Sequence, residues 1–297
     1  LAIDYVRIRA RLPTVEPGES DPWLDVARSV LRFWRVMESS GDETVAIVDL
    51  SPGRQAVQLL CLDPSTQLQS RIQMFAGWVG CSATLSPQEY YLDLLGLDPE
   101  TSNTLRLPAF FPPERRHILV ASRVSTAYKD RTAHAQQTAD LIQSCIRVIP
   151  GNVAVYFPSF AMLNDIAGRW EFDEENLLIQ SAQMSEEERA AWMQRMGQKG
   201  PQKVLAAVLG GIFAEGVDLP SGALSGVIVA GPALPPVGLE RDLLRTCYQE
   251  RYGAGFQYAS LIPGMTKVIQ AAGRLLRSPD EDPPRGRAAH AELEPRA

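Results

Sequence analysis

The 297-residue chain is poor in cysteine and has no paired cysteine spacing. Cys61, Cys81, Cys145 and Cys247 stand far apart, with no C-x-x-C, which argues against a zinc or iron–sulfur cluster held within this chain. Each has apolar or small neighbours, so buried free thiols are expected. No apolar run approaches the roughly 20 residues that a membrane helix needs. An excess of positive charge is missing too: the net charge is -6 and the pI is near 5.3. That excludes a basic coat able to hold nucleic acid everywhere. A local groove stays open, because gripping a single strand needs only a few well-placed donors. The first residues, Leu1 to Arg7, show neither an initiator Met nor a signal-peptide pattern. The chain reads as one that begins mid-gene, and its composition points to the cytoplasm.

What is present is ordinary for a globular protein: 45% apolar and 22% charged residues. The length allows one large or two small domains, at roughly 100–200 residues each. Apolar residues at Leu24, Ala27, Val30, Leu31, Trp34 and Met37 follow a helical period, with Ser20 or Asp21 as cap and Pro22 in the first turn. Strand-like runs follow at 44–50 and 56–62, joined by the turn residues Ser51-Pro52-Gly53-Arg54. A third apolar run spans Gly77–Leu85, and 89–97 reads as a short helix. Proline-rich Pro108–Pro113 reads as a linker.

Beyond the linker, helices and buried strands alternate. Helices are expected at 132–149, 160–170, from Ser185, at 239–252 and at 265–277; strands at 152–157, 176–180, 203–209 and 224–230. This alternation implies an α/β fold with a parallel sheet covered by helices on both faces. Ligands of such sheets bind at the carboxyl ends of the strands.

Four short segments carry the candidate chemistry. Ser82-Ala83-Thr84-Leu85 follows a strand-like run; its hydroxyls can bond a phosphate or an acid, or make a local turn. In Tyr156-Phe157-Pro158-Ser159-Phe160, proline ends the strand and Ser159 can cap the next helix, as a phosphate seat or as an ordinary N-cap. The loop Gly210 to Pro220 has glycines that admit a ligand close to the backbone, and the carboxylates Glu215 and Asp218 three residues apart. A flexible loop with solvated acids is the alternative. Gln270, Arg274 and Arg277 are spaced i, i+4, i+7 and share one helix face, suited to a polyphosphate or simply solvated.

Taken in order, these segments resemble motifs III, IV, V and VI of superfamily 2 DNA helicases of the XPD/DinG type, across about residues 45–285. The most specific match is Gln270-Ala271-Ala272-Gly273-Arg274-Leu275-Leu276-Arg277. The resemblance implies a RecA-like parallel sheet preceded by a partial first RecA-like lobe and a helical remnant. Residues 1–45 would be the remnant of an arch-like insertion, 46–112 the end of the first lobe with its linker, and 113–279 the second lobe. Residues 280–297 would be a disordered tail or read-through of a broken frame.

It also implies roles. Arg277, Arg274 and Gln270 would face ATP, with Arg277 as the finger on the γ-phosphate, a device worth about 10³–10⁵ in rate. Gly216, Asp218 and Glu215 would link the nucleotide to the strand path, and Ser82 and Thr84 would couple hydrolysis to movement. Phe157, Ser159 and Phe160 would line single-stranded DNA. The enzyme would be a monomeric, membrane-free motor. The chain departs from the family in lacking G-x-x-x-x-G-K-[ST], an Asp-Glu-x-His stretch and four cluster cysteines. ATP and Mg²⁺, and any iron–sulfur cluster, would therefore be held upstream of Leu1, leaving this chain inactive alone. A non-catalytic nucleic-acid-binding module with one RecA-like lobe is the alternative from another class; an unrelated α/β nucleotide-binding enzyme is a third.

Overall fold

The computed structural model describes residue 7 and residues 21–108, 117–215 and 222–275, apart from the side chains of Pro22, Arg54 and Glu215. The expected linker at Pro108–Pro113 falls mostly outside these residues, as does the tail after Asp280. The chain divides into two compact units. The first takes in residues up to Cys81, Ser86–Ser102 and Val237–Gly255; the second takes in Ser82–Leu85, Asn103–Pro236 and the residues from Phe256 onward.

In the first unit, helix α1 spans Pro22–Ser39. The Asp21 carboxylate accepts from the Trp23 amide at 3.1 Å, and Pro22 occupies the first turn, where a missing N–H costs nothing. The apolar stripe of α1 is only partly covered: Leu24, Ala27 and Leu31 are half-buried, while Trp34 is 43% exposed. Strands β1 (Thr44–Ser51) and β2 (Arg54–Cys61) form an antiparallel hairpin, paired from Thr44↔Cys61 to Ser51↔Arg54. Gly53, at φ +78°, supplies the left-handed step of its tight turn. Helices α2 (Ser65–Ile72) and α3 (Gln88–Leu95) follow, and Gly96 ends α3 in the left-handed region. The helix Leu239–Tyr252, though far away in sequence, belongs to this unit.

The expected strand at Gly77–Leu85 does not form. Among the described residues it finds no pairing partner, and Val79 lies 88% exposed. The expectation of buried thiols is also overturned: Cys61 and Cys81 are exposed, and Cys145 and Cys247 are half-buried. Cys61 ends the hairpin and Cys81 lies in the unpaired stretch, so neither sits in a packed layer.

In the second unit, β3 (Val153–Phe157), β4 (Leu177–Ile179), β5 (Val204–Val208) and β6 (Gly226–Val229) form a parallel sheet in the order β4-β5-β3-β6. All residues of the central strands β3 and β5 are buried. Side chains alternate along a strand, so each strand feeds two cores. Val153, Val155 and Phe157, with Val204, Ala206 and Val208, pack against Ile142 and Ile146 of helix α4 (Arg131–Val148) and Leu163 and Ile166 of α5 (Phe160–Ala167). Ala154, Tyr156, Leu205 and Ala207 face the other way, toward Met193 and Met196 of α6 (Glu186–Met196), Phe213 and Ala271. Ser185 and Glu188 close a complete capping box on α6.

The last helix differs from expectation. A π-helical stretch, Gln257–Leu261, leads into α-helix Ile262–Ala272, and a 3₁₀ turn at Gly273–Leu275 ends it. The helix starts earlier than the apolar period suggests, because Pro263 is tolerated in a first turn and Gly264 fits tightly beneath Leu234. Its end tightens to about 3.0 residues per turn, and Arg274 lies within that 3₁₀ turn.

Candidate functional site

The site grows from the carboxyl ends of β3 and β5. These neighbours run parallel in register, Phe157 opposite Val208, and the Leu209 amide donates to the Phe157 carbonyl at 2.8 Å. The segments Pro158-Ser159 and Gly210-Gly211 therefore leave the sheet side by side.

Ser159 is extended (φ -158°, ψ 157°), and its Oγ accepts from the Met162 amide at 3.3 Å, capping α5. Pro158 breaks the strand just where this cap is needed. Phe160 is half-buried against the core. Phe157, expected along a bound strand, is fully buried, its ring 6.0 Å from that of Trp170. That ring is a core side chain, and only Ser159 and Phe160 of this trio reach the surface.

At the end of β5, Gly210 turns the chain at φ +74°, and the Gly211 amide reaches back to the Val208 carbonyl at 3.2 Å. Helix α7 (Ile212–Glu215) follows. The root of this loop is held from several sides. The buried Tyr156 hydroxyl donates to the Phe213 carbonyl at 3.1 Å. Gln180 Oε1 accepts from the Val208 amide at 3.0 Å. Arg274 Nε donates to the Ala214 carbonyl at 2.9 Å. The Gly-rich loop and the Gln270–Arg274 helix, which the sequence separates by about 50 residues, thus meet at one place.

Helix α8 spans Leu239–Tyr252 and helix α9 spans Ile262–Ala272. Gln270 is exposed on α9 and Arg274 is half-buried just beyond it. Gly216, Asp218 and Arg277, and the side chain of Glu215, lie outside the described residues. Ser82 and Thr84 meet each other: their hydroxyls are 3.1 Å apart, and Ser82 Oγ accepts from the Thr84 amide at 3.2 Å. Among the described residues, no three His, Cys, Asp or Glu side chains gather as a cation site. No described helix is long and apolar enough to cross a membrane. Lys267, Tyr156 and Gln180 escape the sequence reading. Lys267 alone left a signal, its i, i+3 spacing to Gln270; the other two act through a fold not yet visible.

Parallel sheets take their ligands at this carboxyl edge, where the Gly-rich loop meets the segment that carries Gln270 and Arg274. The comparisons point to a family. Residues 142–283 match the helicase C-terminal domain family. The chain is 23% identical over 197 residues to the ATP-dependent DNA helicase CHL1 of Meyerozyma guilliermondii, covering 60% of this chain and 24% of that protein. It is 23% identical over 238 residues to the ATP-dependent DNA helicase chl1 of Schizosaccharomyces pombe, covering 73% and 28%. Among solved structures it resembles an XPD helicase (TM-score 0.58, 18% identity, 92% of this chain, 55% of that one) and an apo XPD (0.57, 20%, 83%, 50%). At these identities the structural likeness speaks for the fold, which is RecA-like. Residues 142–283 are thus similar to a helicase C-terminal domain, and the fold of the chain resembles that of XPD helicases. The chain spans about a quarter of the length of the curated relatives it matches.

Proposed function

We propose that this chain is the C-terminal motor portion of an ATP-dependent DNA helicase. It supplies the arginine finger and part of the path for single-stranded DNA. Arg277 acts on the γ-phosphate, Arg274 and Gln270 read the nucleotide beside it, and the Glu215-Gly216-Val217-Asp218 loop links nucleotide to strand. Ser82 and Thr84 couple hydrolysis to movement, and Ser159 and Phe160 line the strand. ATP with Mg²⁺ is held mainly by a phosphate-binding loop that these 297 residues do not contain; any iron–sulfur cluster also lies outside them. The whole enzyme works as a monomer.

One observation carries this reading: the Arg274–Ala214 hydrogen bond, 2.9 Å, which fastens the basic helix to the Gly-rich loop at the carboxyl edge of the sheet. Charge that develops on a transferred phosphoryl group is stabilised by donors held in place beforehand, and this tie is such a hold. The test is ATP turnover with single-stranded DNA present. The 297-residue chain should turn over negligibly, whereas a longer chain that includes the phosphate-binding loop should be active. In the longer chain, Arg277→Ala should abolish turnover and spare strand binding. Substantial turnover by the 297-residue chain, or equal turnover in the variant, would overturn the reading.

A further inference from the structure

Lys267 lies on α9 one turn before Gln270, and its side chain runs across the backbone of Gly210. A β-carbon added at Gly210 would come 2.8 Å from Lys267 Nζ, 3.1 Å from Cε and 3.3 Å from Cδ. Gly210 therefore does two things: it turns the chain at φ +74°, and it leaves the shelf on which the lysine lies. The side chain is half-buried, yet among the described residues it has no hydrogen-bond or ion-pair partner. The root of the loop carries Val208, the Gln180 amide and Gly211.

An ammonium on a partly buried side chain, with no counter-ion among the described residues, can take an anion. The place is the carboxyl edge of the two central strands. There Ser159, past the paired end Phe157–Val208, uses its hydroxyl oxygen to accept from Met162. The hydroxyl hydrogen has no acceptor among the described residues. A point charge over the turn that ends one central strand and an O–H donor at the turn that ends its neighbour are both groups that suit a phosphate oxygen.

We propose that Lys267 is a phosphate-binding residue with Gly210 as its platform. The ligand is a phosphate group, from a nucleotide or from the backbone of a single strand. Its identity rests on the motor reading above; the existence of the anion site does not.

The test is acetylation of the 297-residue chain with a small amine-reactive ester, read residue by residue by mass spectrometry. Exposed Lys129 and Lys199 serve as references. Pyrophosphate, ATP and an oligothymidylate are added in turn, each near a few times its dissociation constant. At least one should slow Lys267 about threefold and leave the references unmoved. ATP alone points to the nucleotide, the oligothymidylate alone to the strand. In the strand case, Lys267→Ala should weaken oligothymidylate binding roughly tenfold and flatten its log–log salt dependence by about 0.7, and Lys267→Arg should restore both. Unchanged Lys267 reactivity with all three additions overturns the proposal. Protection by pyrophosphate, with no binding of ATP or oligothymidylate, keeps the anion site and sinks the motor reading.

Discussion

Arg274 Nε donates to the Ala214 carbonyl at 2.9 Å, so a residue assigned to the nucleotide also holds the loop beside it. The two duties separate by experiment. Ala214 is buried, and removing a hydrogen bond so that a buried carbonyl is left unsatisfied costs about 1–3 kcal/mol. Arg274→Ala should lower the urea midpoint of the 297-residue chain accordingly. In a longer, active chain it should lose both stability and turnover, whereas Arg277→Ala should lose turnover only. An Arg274→Ala chain as stable as the parent would remove the loop-holding role.

The first unit has its own buried charge. Asp63 is fully buried, and its carboxylate accepts from Arg251 Nη1 at 2.7 Å, the Tyr252 hydroxyl at 2.7 Å and the Ser65 amide at 2.9 Å. These contacts fasten α8 to the segment that follows the hairpin. Burial pushes the Asp63 pKa up, but the Ser65 amide, the Tyr252 hydroxyl and Arg251 outweigh it and hold the carboxyl below its ordinary range. Burial raises the Tyr252 phenol to about 12. A carboxyl whose folded pKa is depressed stabilises above its unfolded pKa, and that stability fades as pH falls through the folded value. Urea midpoints should therefore drop steeply below about pH 4, the unfolded carboxylate range. Asp63→Asn should flatten that slope and cost about 2 kcal/mol at neutral pH, since Arg251 is partly exposed. Equal slopes in variant and parent would show that other groups govern acid sensitivity.

Ser159 makes a sharper case because its cap is now seen. Ser159→Ala should cost about 1 kcal/mol of stability through the lost Met162 contact. It should also weaken binding of an oligothymidylate more than binding of ATP. Ser159→Asp keeps the cap and brings a negative charge, so it should restore stability and weaken strand binding further. A variant series in which ATP binding suffers more would take Ser159 out of the strand path.

Much of the fold was legible in the sequence because local chemistry and tertiary context agree. Ser185 with Glu188 spells a capping box, and the box is there. Val153–Phe157 and Val204–Val208 read as continuous apolar runs because both of their faces are covered. The run Gly77–Leu85 misled for the same reason in reverse: apolar composition favours a strand only where a neighbouring strand offers its ladder. The cysteines misled because their apolar neighbours lie in an uncovered hairpin and an unpaired stretch. Phe157 sits two residues before Ser159, but it is the last residue of a central strand covered on both faces, whereas Ser159 lies past Pro158, where the strand has ended. The Arg274–Ala214 tie and the lysine over Gly210 are contacts across tens of residues, for which spacing along the chain holds no signal.

Gly210 offers a measurement that separates backbone strain from packing. Its φ of +74° disfavours any side chain, at about 1–2 kcal/mol for alanine. The β-carbon would also meet Lys267, though the nearest atoms are the movable end of that side chain. Gly222 has nearly the same φ, +72°, and open space around the β-carbon position. Gly222→Ala should therefore report strain alone, and Gly210→Ala strain plus the displacement of Lys267. Because the ammonium end can swing aside, the two variants should differ in urea midpoint by only a few tenths of a kcal/mol. Yet Gly210→Ala should lose the protection of Lys267 by phosphate ligands, and Gly222→Ala should keep it. A Gly210→Ala chain in which Lys267 is still protected would mean that the lysine finds its anion without the glycine shelf, and that the glycine serves the turn alone.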